Sequence, residues 1–466
     1  MDLTIDEATK DAVIAEAMHQ MEQAFAGLPK DYFQEKNAVT FLFNNIERVY
    51  AKKPPLTELT KERAYTIIRD TLVESRQVGL YAGVPWCAQI CSFCDRAFSI
   101  AQGRDVYVAY IGRIHKELDI LRERVGLPDQ VSTVYFGGGT PTILSADLFD
   151  RYINGFLQRL SLVERASITC EAFPLTLTEE KLEVLKDAGV NRISLGIQTL
   201  DDKIRENSRL LGTSDKVMRK VTQVMERFDV VNVDLIYGFP GQNMSSWFDT
   251  VYRVANTGIP SITLYRLEVR PQTGFAGLYK KMSHVFSDEV LARRQYFLAK
   301  QILEQYGYIE NPLGWWIKEK LRETNLSWEQ HMTRWRTLTP YFGTGQGAWS
   351  HTSTFYYENY SRIGDWEAAI DSGHLPIEVL KMLDARDAYL FRLMRALRTQ
   401  PLLNLPYLLV QAGSLADDVK RVVDRNIGYG LMILFGDDLS LTDGGKALVH
   451  WIIDEFIEEL GNRHVE

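Results

Sequence analysis

Apolar residues recur at helical spacing near the start of the chain, where Val13, Ala17, Met21 and Phe25 fall on one face. Lys52-Lys53-Pro54-Pro55 breaks this region, and Thr60 is placed to cap the helix that follows. From residue 79 the pattern changes. Short apolar, β-branched runs (Gly79–Val84, Thr133–Phe136, Ser167–Glu171, Arg192–Gly196, Val231–Leu235 and Ser261–Leu267) alternate with helical stretches. Those stretches include Val106–Val125, Thr178–Ala188, Ser214–Arg227 and Ser246–Ala255.

Six strand–helix units in succession predict an α/β fold with a parallel sheet curved into a full or partial barrel. Periodicity alone leaves an open doubly wound sheet as the alternative. After about residue 310 the alternation stops, and Trp and Tyr become frequent. The run Leu439-Ser440-Leu441-Thr442-Asp443-Gly444-Gly445-Lys446 then precedes a final amphipathic stretch. A short strand, a turn and a helix there suit a small winged-helix-like module. The expected organisation is a helical N-terminal extension over 1–75, a partial (β/α)6 TIM-like barrel over 76–310, and a C-terminal α/β domain over 311–466.

The 466 residues are 45% hydrophobic and 24% charged, ordinary values for a globular protein of more than one unit. A net charge of -8 argues against a nucleic-acid partner, because phosphate binding needs a basic face. No run of about 18 apolar residues predicts a membrane span. The acidic start MDLTIDEATKDAV lacks the basic and apolar regions of a signal peptide, so a cytoplasmic location is expected.

Three of the four cysteines fall together in Cys87-Ala-Gln-Ile-Cys91-Ser-Phe-Cys94. In a cytoplasmic chain such crowding reads as metal binding. Structural zinc takes four Cys or His ligands in paired short spacings. Three thiolates instead suit a [4Fe–4S] cluster with one open iron, where the amino and carboxylate groups of S-adenosylmethionine (SAM) can bind. An electron from the cluster then breaks a C–S bond and releases a 5′-deoxyadenosyl radical. Cys170 reads as a plain strand residue.

Other chemistry collects at the strand ends, the functional rim of a barrel. The second strand runs into Gly137-Gly138-Gly139-Thr140-Pro141, whose glycines let a ligand approach the backbone and meet its N–H groups. The third ends in Glu171, the fourth leads to Gln198, the fifth contains Asp234, and the sixth reaches Arg266 and Glu268. Trp315, Trp316, Trp328, Trp335 and Trp349, with Tyr356, Tyr357 and Tyr360, read mostly as core.

Over residues 79–460 the chain resembles the oxygen-independent coproporphyrinogen III oxidase-like branch of radical SAM proteins, which includes haem chaperones, anaerobic haem degraders and class C methyltransferases. The resemblance rests on the three cysteines, Tyr135-Phe136-Gly137-Gly138-Gly139-Thr140-Pro141-Thr142, Ser194-Leu195-Gly196-Ile197-Gln198 and Asp234-Leu235-Ile236-Tyr237-Gly238-Phe239-Pro240. Gly343-Thr344-Gly345-Gln346-Gly347-Ala348 and Leu441-Thr442-Asp443-Gly444-Gly445 match more weakly.

The resemblance implies that Cys87, Cys91 and Cys94 hold the cluster. It implies Tyr81, Gly138 and Glu171 at a first SAM, and Phe93, Gly139, Thr140, Gln198, Arg209, Asp234 and Trp349 around a second. It also implies a reducing donor such as flavodoxin or ferredoxin. The chain departs from the branch at Gly83, which takes a family His place, at Trp86, which takes a Phe place, and at Asp95-Arg96-Ala97, where an oxidase carries another Cys. The first reading of function is methyl or methylene transfer, using two SAM molecules, to an unsaturated or conjugated small molecule. The alternatives are oxidation, decarboxylation or ring opening of a porphyrin or haem, and a haem chaperone with little catalysis.

Overall fold

In the computed structural model, residues 5–35, 60–73, 75–95, 99–100, 102–128, 130–310, 313–321 and 339–461 are described. The Lys52–Pro55 break, Trp328 and Trp335 lie outside them. Six strands form the centre: β1 (Val78–Val84), β2 (Val131–Gly138), β3 (Leu162–Ala172), β4 (Arg192–Gln198), β5 (Val231–Tyr237) and β6 (Ser261–Arg266). They lie side by side in chain order, and each adjacent pair is parallel. Helices Arg104–Val125, Ala146–Leu157, Glu179–Asp187, Ser214–Met225 and Met244–Asn256 make the crossovers.

Sequential order distinguishes this sheet from a doubly wound one, whose strand order reverses at a switch point. Right-handed crossovers running in one direction put every helix on the same side. That outer side is apolar: Leu80, Val134, Ile168, Ile193, Val233 and Ile262 are all buried there.

The sheet does not close on itself. The free edge of β1 pairs in parallel with a strand from far down the chain, and β6 pairs with an antiparallel one. In chain order the added strands are β7 (Tyr308–Glu310), β8 (Trp315–Lys318), β9 (Tyr341–Thr344), β10 (Trp349–His351), β11 (Phe355–Asn359) and β12 (Ile377–Met382). The twelve strands run β12-β11-β10-β9-β1-β2-β3-β4-β5-β6-β8-β7. The residue 310 boundary expected from composition therefore does not coincide with an edge of the sheet. Trp316, Tyr356 and Tyr357 are buried, as the core reading of the aromatic region required.

The N-terminal helices lie over the outer layer. Helix Glu7–Ala24 is capped by Asp6 and buries Ala17 and Met21, while Phe25 just beyond it is also buried. It packs on helices Met244–Asn256 and Glu289–Gln305, and Lys10 reaches Asp249 at 2.7 Å. Thr60 caps helix Lys61–Leu72, and the Tyr65 hydroxyl accepts a bond from the Leu375 amide at 3.1 Å. At the other end, Leu403–Asn404, Asp438–Leu441 and Met432–Phe435 form a small antiparallel sheet beside helices Ala416–Gly428 and Val449–Gly461, the expected strand–turn–helix arrangement. Among the described residues no helix is long and apolar enough to cross a membrane.

Candidate active site

Strand β1 delivers the chain to Trp86–Cys87, a short strand paired with Ser99–Ile100. Trp86 is buried edge-on against Tyr107 and Tyr110, with ring centroids 4.9 and 4.7 Å away, and this wedge fixes Cys87. The loop beyond is tied down on several sides. The Ser92 amide donates to Ser208 O (3.0 Å), the Phe275 amide donates to Ser92 O (2.8 Å), and Asp95 pairs with Arg270 (2.8 Å). Phe93, expected at a SAM wall, sets its ring edge-to-face on Phe239 at 5.6 Å.

Cys87, Cys91 and Cys94 are half-buried cysteines outside any disulfide on this one loop, whereas Cys170 is buried on the apolar side of β3. Burial pushes the Cys87 thiol up to about 11 and Cys91 up to about 12, and the neighbouring thiols reinforce both shifts. Iron binding must therefore supply the charge that makes them thiolates. Among the described residues no three His, Cys, Asp or Glu side chains gather round a single-ion point. Thiolates on a polynuclear cluster each bind a different iron and so stand farther apart than around one ion. Three half-buried thiols on one docked loop fit that group.

The glycine run packs against the strand that leads to Cys87. The Gly139 amide donates to Val84 O (2.6 Å) and the Thr140 amide to Trp86 O (2.8 Å). A Cβ on Gly139 would fall 2.3 Å from Trp86 O, and Gly138 has φ 102°. The expectation that the run offers its N–H groups to a ligand is thus corrected at Gly139 and Thr140, whose donors are already engaged by backbone. Small size at Gly139 permits that approach. The Thr140 hydroxyl lies 3.1 Å from Cys87 Sγ.

The inner side of the parallel strands is polar. The register aligns Tyr81 with Tyr135, Tyr135 with Thr169, and Thr169 with Arg192. One level up, Glu171, Ser194, Asn232 and Ser261 stand in a row, and Gly196 leads to Asp234 and Thr263. The Tyr81 ring stacks on Tyr135 at 6.1 Å, and the Tyr135 hydroxyl donates to Glu171 Oε1 at 2.5 Å.

Asp234 sits in the middle of β5, inside the barrel and not at its rim. It accepts from Asn232 Nδ2 (2.9 Å) and Ser194 Oγ (3.3 Å). Burial pushes its carboxyl up, opposed chiefly by the buried Arg192. A bulge between Gly196 and Gln198 turns Gln198 to φ 64° and brings its amide to 2.9 Å from where a Gly196 Cβ would stand, beside Asp234.

Arg209 is exposed, with φ 58°, in the loop next to Ser208 and so next to the cysteine loop. Trp349 is two strands outward from β1. Gly343 pairs with Tyr81, and a Cβ on Gly343 would meet Trp349 O at 2.5 Å. Arg266, which the sequence places on the rim, lies on the Ile262 and Leu264 side of β6 and pairs with Glu289 on the outer helix Glu289–Gln305.

Sequence reasoning missed Tyr135, Ser194, Asn232 and Arg192 as parts of this interior. The signal was there: polar residues at alternate positions of otherwise apolar strands. It also missed Glu117. This buried carboxylate in helix Arg104–Val125 accepts from the Gly345 amide (2.8 Å), Asn359 Nδ2 (2.6 Å) and Trp366 Nε1 (3.0 Å), and so holds the Gly343–Gly347 loop. Burial raises its carboxyl from 4.5 to about 8.

Known proteins agree with this geometry. Residues 81–252 match the radical SAM superfamily. The heme chaperone HemW of Lactococcus lactis is 28% identical over 284 residues, 61% of this chain and 72% of that protein. The oxygen-independent coproporphyrinogen III oxidase of Synechocystis sp. is 25% identical over 438 residues, 89% of this chain and 93% of that one. The solved coproporphyrinogen III oxidase HemN of Escherichia coli, described as a radical SAM enzyme, shares the fold with a TM-score of 0.74 at 19% identity, over 86% of this chain and 94% of that one. Residues 81–252 thus match a superfamily that works with a [4Fe–4S] cluster and SAM, and the chain around them is similar to HemN- and HemW-type proteins.

Proposed function

We propose that the protein is a radical SAM enzyme acting on a tetrapyrrole, a porphyrin or haem, by oxidation, decarboxylation or ring opening. The observation that carries this reading is the nearly end-to-end similarity to a coproporphyrinogen III oxidase, over 89% of this chain. The heme chaperone relatives point to the same class of ligand. This reading replaces methyl or methylene transfer as the first choice, since the relatives similar over most of this chain are named as a coproporphyrinogen III oxidase and a heme chaperone.

When bound, the cluster and SAM supply a reducing electron and a carbon-centred radical. The chain's own residues bind and orient. Cys87, Cys91 and Cys94 hold the iron. Tyr81, Gly138 and Glu171 form one SAM-binding set, supported by the Tyr81–Tyr135–Glu171 chain. Phe93, Gly139, Thr140, Gln198, Arg209, Asp234 and Trp349 form a second. Its support is the placement of the Gln198 amide beside Asp234. A carboxylate and an amide there suit ribose hydroxyls, and Arg209 suits a carboxylate.

The test is anaerobic reconstitution with SAM and dithionite, with coproporphyrinogen III or haem as substrate, followed by mass spectrometry. The reading expects 5′-deoxyadenosine formed together with a tetrapyrrole product that has lost carbon dioxide or an opened ring. S-adenosylhomocysteine with a methyl-sized mass gain would restore carbon transfer. Haem bound without SAM turnover would favour a chaperone.

A further inference from the structure

Outside the barrel, where the strands hand over to their helices, a cleft of about 430 Å3 lies between helices Arg104–Val125 and Ala146–Leu157. That is the size of a small-molecule site. Its apolar wall is Tyr107, Leu144 and Leu148, all buried, while Gln102 and Arg104 are exposed at its mouth. The one buried charge in its lining is Lys181.

Lys181 brings more to the cleft than the fold uses. Its Nζ donates to Thr142 O (2.6 Å) and Thr176 O (2.9 Å), which ties the turn after the glycine run to the next loop. An ammonium carries three N–H groups, so one remains for a ligand. Both of its partners are neutral carbonyls. Glu180, the acid that acts on its charge, is exposed and does not touch it, and burial lowers the lysine's pKa. At the mouth Asp147 is already engaged, by Arg104 and by Ser145 Oγ at 2.7 Å. Gly103 and Ser145, the N-caps of the two helices, make no side-chain cap bond, which leaves first-turn N–H groups open. A buried cationic donor beside an apolar wall calls for an anionic head on an apolar body. One spare N–H suits a singly charged carboxylate; a phosphate dianion would need further cations.

The walls of the cleft are also the mounting of Cys87. The Tyr107 ring packs on Trp86, the residue before Cys87, at 4.9 Å. Gln102 donates its amide to the Tyr107 hydroxyl (2.7 Å) and its Nε2 to Ile100 O (2.9 Å), and Ile100 pairs with Cys87. Leu144 ends the turn that begins at Thr140, whose hydroxyl lies 3.1 Å from Cys87 Sγ. Three separate contacts thus run from the cleft to one cysteine.

We propose that this cleft is a second ligand site, for a small organic acid with a short apolar body, and that its occupancy steadies the Cys87 mounting. The inference is independent of the tetrapyrrole reading.

The test is anaerobic calorimetry on the reconstituted full chain with three probes: hexanoate, acetate (the same head without the body) and hexanol (the same body without the charge). Hexanoate is expected to bind with a Kd of about 1 mM or tighter. Acetate and hexanol should bind at least about tenfold more weakly. Lys181→Met should weaken hexanoate about tenfold and leave hexanol unchanged, whereas Leu148→Phe, which fills the apolar wall, should weaken both. Iron loss to a chelator should slow about tenfold at hexanoate near ten times its Kd, by mass action on the closed form. No saturable hexanoate binding at about 10 mM overturns the proposal. So does wild-type hexanoate affinity in Lys181→Met, or binding that leaves iron loss unchanged. If Lys181→Met fails to fold, the three probes on wild type decide, and equal affinity for hexanoate and hexanol overturns the proposal.

Discussion

The two sides of the six parallel strands are built to opposite rules. The outer side, under the helices, is the continuous apolar surface typical of such sheets, with Val134, Phe136, Leu195 and Val233 wholly buried. The inner side carries Tyr135, Glu171, Arg192, Ser194, Asn232 and Asp234, linked by hydrogen bonds or by charge. Burying those groups disfavours folding unless each is paired. The comparison teaches that one side of the sheet makes the fold and the other buries polar groups that folding alone does not call for.

Substitutions on each side should separate these roles. Cys91→Ala, on the loop at the rim, is expected to abolish stable cluster loading and 5′-deoxyadenosine formation while the apo-protein melts normally. Full SAM cleavage by that variant would remove the chemical basis of the site. Phe136→Ala on the outer side should cost about 3–5 kcal/mol in urea unfolding, since it empties a packed ring site between Tyr152 and Phe156.

Glu117→Gln probes a polar group on the helical side. The folded chain keeps a proton on Glu117 up to about 8, whereas the unfolded chain loses it near 4.5. Stability from this site is therefore full below pH 4.5, declines as pH rises to about 8, and is level beyond, a span of at most about 5 kcal/mol. The Gln variant should flatten that slope; an unchanged slope would assign the pH dependence elsewhere. The smallest effect belongs to the inner side. Asp234→Asn should change unfolding free energy by less than about 1 kcal/mol, because a neutral amide replaces a buried carboxylate. It should still cut SAM turnover about tenfold, or 1.4 kcal/mol. A large stability loss there would mean that the inner side also carries the fold.

Much of this was legible in one sequence. The six strands announce themselves by apolar runs, and Cys87, Cys91 and Cys94 by spacing, because both signals are local. The partners of the edges were not legible: nothing in Trp315–Lys318 or Tyr341–Thr344 says that one joins β6 and the other β1. Glu117 escaped for the same reason. It looks like an ordinary charge on a helix until Gly345, Asn359 and Trp366 reach it from elsewhere in the chain. That the Gly139 and Thr140 amides close on Val84 O and Trp86 O was not legible either, since nothing local in the glycine run names the strand it packs against.

The pairing of β1 with β9 also has a consequence for biosynthesis. The strand that leads to Cys87 keeps one edge open until the ribosome has added Tyr341. At about 5–20 residues per second that interval lasts some tens of seconds. During it the nascent chain presents an unsatisfied β edge, a site for mispairing with neighbouring chains.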